Sequence, residues 1–510
     1  MQLQEAVFCA TASSSGSGFG AVTLHDIVTG SSLASFKQTN AAPHCTTYLE
    51  SKKAQGGFFL AAQPDKSLLH VYNFQKDQIT LKIVLPEKLT CVALDPRGDY
   101  FAGGTTQGRI HLWEVSSGIL FNSWDAHYRQ VNVLRFTQDG SALISGSDDS
   151  SVSVWSVSRL LDEDAQNDLP LPYYTLTDHT LPITDIICGV GSFPTCRILT
   201  SSVDHSVKLW DLASRTMLTT FMFPKAISSL AWDITERFFF AASSDGSIFQ
   251  MNLFKHREDK SKVPLTEAIG GRGVNDIIRV DDESPDAHKK RLITAGQPVS
   301  CIAISFTSSL LLVGTVSGLI HIYDIPTHQL IRTISTHKGF SISHLSTMLK
   351  PIDLVGHVNL RMNVGAASDA RESIPVKPVV PFQRMRDAKT RDLHEVSLLL
   401  PTQNEVNEEP EWYSKDSFLR DHAYFCQPLS STERGNDTST LQMRISDLEA
   451  EVGQLREQLG QAKGINNAMW ETVVQKVVGQ GKHSKDKKSV QDDSNESDEE
   501  NGRRRKRGRT

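Results

Sequence analysis

The feature that most constrains the fold of this chain is a pair of short apolar strands that recurs every 41 or 42 residues. Its clearest copy spans residues 197–212, where a polar turn separates the two strands. In that copy Asp204 precedes Trp210 by six residues, and His179 lies about 25 residues before the aspartate. Together with a strand hydroxyl such as Ser202, these side chains can form a buried hydrogen-bond chain that locks one sheet. A period of roughly 40–45 residues indicates a repeat architecture built from small sheets.

Seven copies of the unit can be aligned. The Trp position is held, in chain order, by His25, Tyr72, Trp113, Trp155, Trp210, Met251 and Tyr323. Three of the intervals, from Tyr72 to Trp113, from Trp113 to Trp155 and from Trp210 to Met251, are 41, 42 and 41 residues long. The sequence therefore predicts an all-β fold, a seven-bladed WD-repeat β-propeller over residues 1–350.

Only the fourth and fifth copies keep the full His, Asp and Trp set, and the other blades are expected to depend on apolar packing. The predicted structural clamp residues are His127, Asp149, Trp155, His179, Ser202, Asp204, Trp210 and Trp113. Ser202, His179 and Asp204 also have the composition of a hydrolase triad. Within a propeller we interpret them as a clamp, and we predict no catalytic, cofactor or metal site and no enzyme activity.

Two intervals between repeats are longer than the period. The additional residues, 159–178 and 255–297, are polar and charged, and we predict that they form loops leaving the propeller. Residues 336–351 alternate briefly between apolar and polar side chains. They are predicted to form the strand that closes the ring, so that no sheet edge stays open.

After the propeller, residues 351–437 contain many prolines and little periodicity, which predicts an extended arm. Two of its segments, 374–382 and 409–419, carry apolar and aromatic side chains that need a surface to bury against. We therefore predict that these two segments dock on the propeller.

A heptad pattern follows the arm and predicts a coiled-coil helix over residues 438–479. Its core positions are Leu441, Ile445, Leu448, Val452, Leu455 and Leu459. Gly453, Gly460 and Gly464 each weaken such a helix by about 1 kcal/mol relative to alanine. The helix therefore needs a partner. It either packs back on the propeller or pairs with another helix, and we favour pairing as a homodimer.

The last segment, 480–510, separates acidic and basic residues into blocks and is predicted to be disordered. The basic residues Arg503, Arg504, Arg505, Lys506 and Arg507 form a predicted nuclear-import cluster. A merely solvated tail and weak RNA contact through phosphate neutralisation are the alternative interpretations. Ser494 and Ser497 lie among acidic residues and are predicted phosphorylation sites.

Bulk properties exclude several classes of protein. The formal net charge is −6, so the chain as a whole lacks the basic excess of a nucleic-acid binder. Its seven cysteines form no C-x-x-C pair, which favours a reducing compartment and makes a zinc site an unattractive interpretation. The N-terminus has no signal-peptide pattern, and no run of ~18 apolar residues occurs. We therefore expect a soluble intracellular protein.

Several stretches together resemble one family. They are IHLWEVSSG, HYRQVNVLRFTQDGSALISGSDDSSVSVWSV, HTLPITDIICGVGSFPTCRILTSSVDHSVKLWDL and AASSDGSIFQMNLF. The chain resembles the WD-repeat subunit of the Rix-type pre-rRNA-processing complex, a family of large-ribosomal-subunit assembly factors. The resemblance covers residues 5–334 and is specific at 126–253.

This resemblance implies a non-enzymatic scaffold in the nucleus, in both nucleolus and nucleoplasm. The implied partners are a helical-repeat scaffold subunit, a third subunit, precursors of the large ribosomal subunit and the AAA ATPase midasin. It also implies a role in removing internal-spacer RNA and self-association through the C-terminal helix. The alternative function on the same fold is a substrate receptor of a ubiquitin ligase or a chromatin-associated adaptor.

Overall fold

The computed structural model describes residues 4–13, 19–51, 55–162, 170–258, 264–268, 276–280, 292–356 and 376–386 of the propeller unit. In a second unit, 410–510, it describes helical residues 446, 448–450, 452–464 and 470.

The first unit is a β-propeller of seven blades, as the repeat period predicts. Its first eleven strands are β1 (Glu5–Ser13), β2 (Ala21–Asp26), β3 (Ser32–Lys37), β4 (Thr46–Leu49), β5 (Phe58–Ala62), β6 (Leu68–Asn73), β7 (Leu81–Val84), β8 (Leu89–Leu94), β9 (Tyr100–Thr105), β10 (Arg109–Glu114) and β11 (Leu120–Asp125). Strands β4–β7 form blade two, and β8–β11 form blade three.

Blade four contains β12 (Val131–Phe136), β13 (Ala142–Ser147), β14 (Val152–Ser156) and β15 (Tyr174–Leu176), with the short helix α1 (Val157–Leu161) after β14. Blade five contains β16 (Ile183–Cys188), β17 (Arg197–Ser202), β18 (Ser206–Asp211) and β19 (Thr216–Met222). Blade six begins with β20 (Ile227–Trp232), β21 (Phe238–Ser243) and β22 (Ser247–Asn252).

The chain then forms β23 (Phe254–Glu258), β24 (Pro264–Ala268), β25 (Asp276–Arg279) and β26 (Leu292–Thr294). Strand β26 is the outer strand of blade six, and β23 pairs with β24 in a separate hairpin. Blade seven contains β27 (Val299–Ile304), β28 (Leu310–Thr315), β29 (Ile320–Asp324) and β30 (Leu330–Ile334).

Blade one closes the ring. The final strand, β31 (Phe340–Leu349), pairs antiparallel with β1, and the sheet order is β3-β2-β1-β31. The register runs from Glu5 opposite Leu349 to Ser13 opposite Phe340. The predicted closing strand is therefore confirmed, and it covers an edge of β1 that would otherwise be open to other chains.

The core lies between neighbouring blades, because each sheet is covered on both faces. Strand β5, for example, is buried along its whole length. Apolar side chains of adjacent blades interdigitate: Phe221 of blade five and Phe239 of blade six are fully buried and meet edge to face, with ring centroids 5.0 Å apart. A buried Tyr72 ring stacks on Phe59 within blade two. Packing of this kind holds blades that lack a polar clamp.

The two predicted loop insertions are only partly loops. Residues 174–176 form the outer strand β15 of blade four, and 292–294 form the outer strand β26 of blade six. Strand β25 adds to blade five as a fifth strand, parallel to β19. The chain returns to the blades at these places because the exposed edge of an outer strand offers unpaired backbone groups.

Part of the predicted arm lies on the propeller. Residues 376–386, hereafter the strap, run along blades two and three, whereas the second predicted docking segment, 409–419, falls outside the described residues. Of the predicted heptad core, Leu448, Val452, Leu455 and Leu459 lie in the described helix with exposed side chains. Leu441, Ile445, the nuclear-import cluster, Ser494 and Ser497 lie outside the described residues. No helix in the described part of the chain combines the length and the apolar character that a membrane crossing requires.

Candidate functional site

Blade four contains a continuous buried hydrogen-bond chain. The Trp155 indole donates to Ser145 Oγ over 3.0 Å, and Ser145 Oγ lies 2.8 Å from His127 Nε2. His127 Nδ1 lies 3.1 Å from Asp149 Oδ2, and Ser151 donates to the other carboxylate oxygen. Burial raises the pKa of Asp149, but hydrogen bonds from His127 and Ser151 outweigh this effect, so its pKa lies well below the ordinary value.

Blade five repeats the arrangement with threonine as the hydroxyl. The Trp210 indole donates to Thr200 Oγ1 over 2.9 Å, and Thr200 Oγ1 lies 2.8 Å from His179 Nε2. His179 Nδ1 lies 2.9 Å from Asp204 Oδ2. The pKa of Asp204 is also below its ordinary value. Burial raises this pKa, but the hydrogen bonds from His179 and Ser206 outweigh that effect.

The prediction that Ser202 supplies the clamp hydroxyl is wrong. Ser202 Oγ donates to the carbonyl of Leu181 over 2.8 Å and accepts the N–H of Asp204. The hydroxyl that joins histidine to tryptophan lies ten residues before the tryptophan in both clamps. Ser202 is only eight residues before Trp210, at the end of its strand, so it closes the turn instead. Ser206 Oγ lies 3.2 Å from His179 Nδ1, but it donates to Asp204, and the hydroxyl beside His179 Nε2 is that of the buried Thr200, which holds the tryptophan.

Blade three departs from the predicted clamp because Gly103 occupies the hydroxyl position ten residues before Trp113. The Trp113 indole instead donates to the carbonyl of Gln383 over 2.9 Å. Phe382 stacks on the Trp113 ring, with centroids 5.4 Å apart and an interplanar angle of 14°. Phe382 is buried, and it also contacts the ring of Phe101. The strap therefore completes blade three.

Backbone contacts fix the strap on blades two and three. The N–H of Val380 donates to Val115 over 3.2 Å, and the N–H of Gln383 donates to Gly118 over 2.8 Å. Gly118 has a φ of +74°, and a Cβ there would lie 2.3 Å from the carbonyl oxygen of Pro381. Glycine is thus required at this crossing both for its conformation and for the close approach. The first predicted docking segment, 374–382, overlaps the strap, and Val376 forms a parallel bridge with Gly56.

Blade one carries a pair of histidines where other blades carry tryptophan. His25 Nε2 lies 2.8 Å from His337 Nε2, and Thr23 Oγ1 lies within 3.2 Å of both nitrogens. His337 precedes the closing strand, so the contact joins the two ends of the ring. Burial, with a smaller contribution from His337, lowers the pKa of His25 to about 4. The pair is therefore held in its neutral form.

A cavity of about 530 Å³ opens at the mouth of the central channel. Six of its lining residues share one position near the start of an inner strand, where the register with the neighbouring strand shifts. These residues are Thr90, Asn132, Thr184, Ser228, Ser300 and Ser343, hereafter the polar ring. A β-bulge re-aims the side chain of the extra residue, which explains how each of them faces the channel.

The polar ring also joins neighbouring blades. Thr90 donates to the carbonyl of Val131, the first residue of the next inner strand, over 2.5 Å. Asn132 donates to Ile183 over 2.9 Å, and Thr184 donates to Ile227 over 2.7 Å. Sequence reasoning missed these residues, although a polar side chain recurs near the start of otherwise apolar strands.

No group of three or more His, Cys, Asp or Glu side chains among the described residues could hold a metal ion. The cysteines in this part of the chain are free thiols, namely Cys9, Cys45, Cys91, Cys188, Cys196 and Cys301. Burial raises the pKa of Cys45 to about 12, which keeps that thiol unreactive.

Seven blades, two His-Asp-Trp clamps and a closing strand define the chain as a WD-repeat β-propeller. The family model described as WD domain, G-beta repeat matches residues 118–156, 171–211 and 288–324, which lie in or overlap blades three to seven.

Individual relatives give a more specific family assignment. The pre-rRNA-processing protein IPI3 of Mycosarcoma maydis is 33% identical over 92% of this chain and 96% of its own length. WD repeat-containing protein 18 of Homo sapiens is 29% identical over 85% of this chain and 90% of its own length. The pre-rRNA-processing protein crb3/ipi3 of Schizosaccharomyces pombe is 28% identical over 61% of this chain and 71% of its own length. The chain belongs to the family of the pre-rRNA-processing protein IPI3.

Proposed function

We propose that this protein is a non-enzymatic scaffold subunit of a nuclear complex that assembles the large ribosomal subunit and processes the internal spacer of pre-rRNA. The observation that carries the proposal is the 33% identity, over nearly the whole chain, to a relative named for pre-rRNA processing. The two His-Asp clamps support a non-enzymatic role, because their hydroxyls already hold tryptophan indoles.

The proposed mechanism is multivalent docking. The rigid blades and the strap present surfaces to a helical-repeat scaffold subunit and a third subunit, and the assembly supports recruitment of the AAA ATPase midasin to pre-ribosomes. Two weak contacts on one scaffold act at a high effective concentration, so their combined affinity exceeds that of either contact alone.

Self-association through the C-terminal helix is part of this proposal. The apolar side chains of Leu448, Val452, Leu455 and Leu459 are exposed within the helix, and an exposed heptad seam needs a partner. The double substitution Leu448→Asp and Leu455→Asp should convert a dimer to a monomer in sedimentation velocity. The matched control is Ala450→Asp with Gln454→Asp, which adds the same charges away from the seam. A wild-type protein that sediments as a monomer contradicts the dimer.

Nuclear import is proposed to depend on the basic cluster at 503–507. Deleting residues 503–509 should lower nuclear accumulation of a fluorescent fusion, and an unchanged nuclear signal would assign import to the partners. Phosphorylation of Ser494 and Ser497 would add negative charge close to that cluster. Mass spectrometry of the native tail tests this proposal, and two unmodified serines count against it.

The experiment that tests the function is affinity purification of the tagged full chain, followed by mass spectrometry and RNA sequencing. Large-subunit assembly factors, midasin and spacer-containing pre-rRNA are the expected co-purifying species. A ubiquitin-ligase core or chromatin subunits in their place would overturn the proposal in favour of an adaptor function on the same fold.

A further inference from the structure

The lining of the central cavity includes one arginine, Arg135, and two histidines, His44 and His344. Arg135 comes from the inner strand of blade four, and its Nε donates to the carbonyl of Ile186 over 3.2 Å. Its Nη2 lies 3.5 Å from His44 Nδ1 and 3.5 Å from Asp185 Oδ1, at the outer limit of hydrogen bonding. The arginine side chain remains 34% exposed to the cavity. Its guanidinium therefore has donor capacity directed into the channel.

The acceptor groups beside Arg135 are already engaged. Asp185 Oδ1 accepts the N–H of Ile186 over 2.9 Å, and Asp185 Oδ2 accepts the N–H of Leu230 over 3.0 Å. At the rim, Asp148 Oδ1 accepts Asn132 Nδ2 over 2.6 Å. Most hydroxyls of the polar ring donate to backbone carbonyls of their own or the next blade. Most of the polar ring has therefore already donated its protons, which leaves Arg135 as the positively charged donor in the lining of the cavity.

One of the two histidines in the cavity lining has a ring nitrogen that lacks a hydrogen-bond partner in the described part of the chain. His344 Nε2 is buried and has no hydrogen-bond partner among the described residues. Burial, followed by the charge of Arg135, lowers the pKa of His344 to about 3. Burial also lowers the pKa of His44, although Asp185 opposes this effect, and the ring of His44 is already hydrogen-bonded to the backbone of Thr184. Nε2 of His344 is thus left without a partner in the lining of a cavity that contains a cation, and a buried polar atom without a partner is costly.

We propose that the channel mouth is a binding site for a compact anionic group, a phosphate or a carboxylate, held by Arg135 and His344. The planar guanidinium can hold two oxygens of such a group at once. A cavity of about 530 Å³ accommodates it. This site is additional to the scaffold function and does not depend on the ribosomal assignment.

Anion binding should be coupled to proton uptake. The titratable and charged groups that line the cavity are Arg135, His44, His344, Asp148, Asp185 and Cys301. A bound anion would favour the charged form of His344, whose pKa is lowered in the free protein, so the affinity for acetate should increase as the pH falls.

Isothermal titration calorimetry of the full chain at constant ionic strength tests the proposal, with inorganic phosphate and acetate as separate probes. We expect saturable binding of one anion per chain. Arg135→Gln should weaken binding about ten-fold or more, because a charge-assisted bidentate contact is lost. Arg129→Gln is the matched control, since it removes the same charge from an exposed position on the rim of the same blade and should leave the affinity unchanged.

A second variant guards against misfolding, because Arg135 also links two blades. His344→Gln leaves that link intact and should weaken binding several-fold, and it should also flatten the pH dependence. Stronger binding of phosphate identifies a phosphorylated ligand, and stronger binding of acetate identifies a protein carboxylate. The proposal is overturned if neither probe gives saturable heat, or if Arg129→Gln weakens binding as much as Arg135→Gln.

Discussion

Blades four and five close themselves, whereas blade three is closed by a segment 270 residues further along the chain. In blades four and five, the indole, hydroxyl, imidazole and carboxylate all come from one repeat unit. In blade three, Gly103 leaves the Trp113 indole without a hydroxyl of its own, and the carbonyl of Gln383 takes its place. The comparison shows that a buried N–H can be satisfied within its own repeat or by a strap from a distant part of the chain.

Blade one provides a third solution. It has no carboxylate in its clamp position, and two neutral histidines share a hydrogen bond with Thr23. Because Asp149 and Asp204 have lowered pKa values and His25 has a lowered pKa as well, the two kinds of clamp respond to different pH ranges. Substitutions in each blade can distinguish the local clamp, the strap and the histidine pair.

The largest effect is expected from removing a clamp carboxylate. Asp204→Ala leaves His179 and Ser206 without their buried acceptor, and it should lower the free energy of unfolding by about 3 kcal/mol. Urea unfolding followed by circular dichroism measures the change. Asp178→Ala, one residue before His179 and exposed, is the control and should change stability by less than about 0.5 kcal/mol. Equal losses from both substitutions would contradict a role for the clamp.

The next effect distinguishes the two hydroxyls of blade five. Thr200→Val keeps the side-chain shape but leaves the Trp210 indole unsatisfied, and it should cost about 2 kcal/mol. Ser202→Ala removes two turn hydrogen bonds, with Leu181 and Asp204, and should cost about 1 kcal/mol, less than Thr200→Val. The same unfolding assay compares the two variants. A larger loss of stability for Ser202→Ala than for Thr200→Val would show that Ser202 supplies the clamp hydroxyl.

Blade one should lose stability at mildly acidic pH. The folded-state pKa of His25 is about 4, below the ordinary value of 6.5, so the unfolded chain takes up the proton first as the pH falls. Stability contributed by the neutral pair should therefore be complete above about pH 6.5 and decline toward pH 4, by about 1–2 kcal/mol. His25→Phe should remove this part of the pH dependence while leaving the acidic response of blades four and five. An unchanged profile in the variant would assign the titration to another group.

The smallest global effect is expected at the strap. Phe382→Ala should release the strap from Trp113, and the amides of Val380 and Gln383 should then exchange rapidly in hydrogen-exchange mass spectrometry. Because the ring closes through β31 and the released strap lets water reach the Trp113 indole, global stability should fall by only about 1 kcal/mol. Met385→Ala, an exposed strap position, is the control. Protection retained in Phe382→Ala would show that backbone contacts alone hold the segment.

The sequence alone was sufficient to predict the blades, most of the clamp residues and the closing strand. Trp155, Asp149 and His127 lie within one repeat, so their spacing along the chain reports their spacing in the sheet. Local spacing was insufficient for the choice between Thr200 and Ser202, because antiparallel register decides which hydroxyl faces the indole. Thr200 and Ser202 lie on the same face of their strand, but Trp210 pairs with Ile198, two residues from Thr200 and four residues from Ser202.

Only the tertiary structure decided which distant segments meet. The contact of Trp113 with the strap, the addition of β25 to blade five and the gathering of Arg135, His44 and His344 around one cavity all join residues with no common period. The polar ring lies between these cases: its residues recur with the repeat, but the bulge that turns them into the channel appears only in the paired strands. Repeat spacing is a property of the chain, whereas these contacts depend on closing the ring, which brings seven inner strands around one axis.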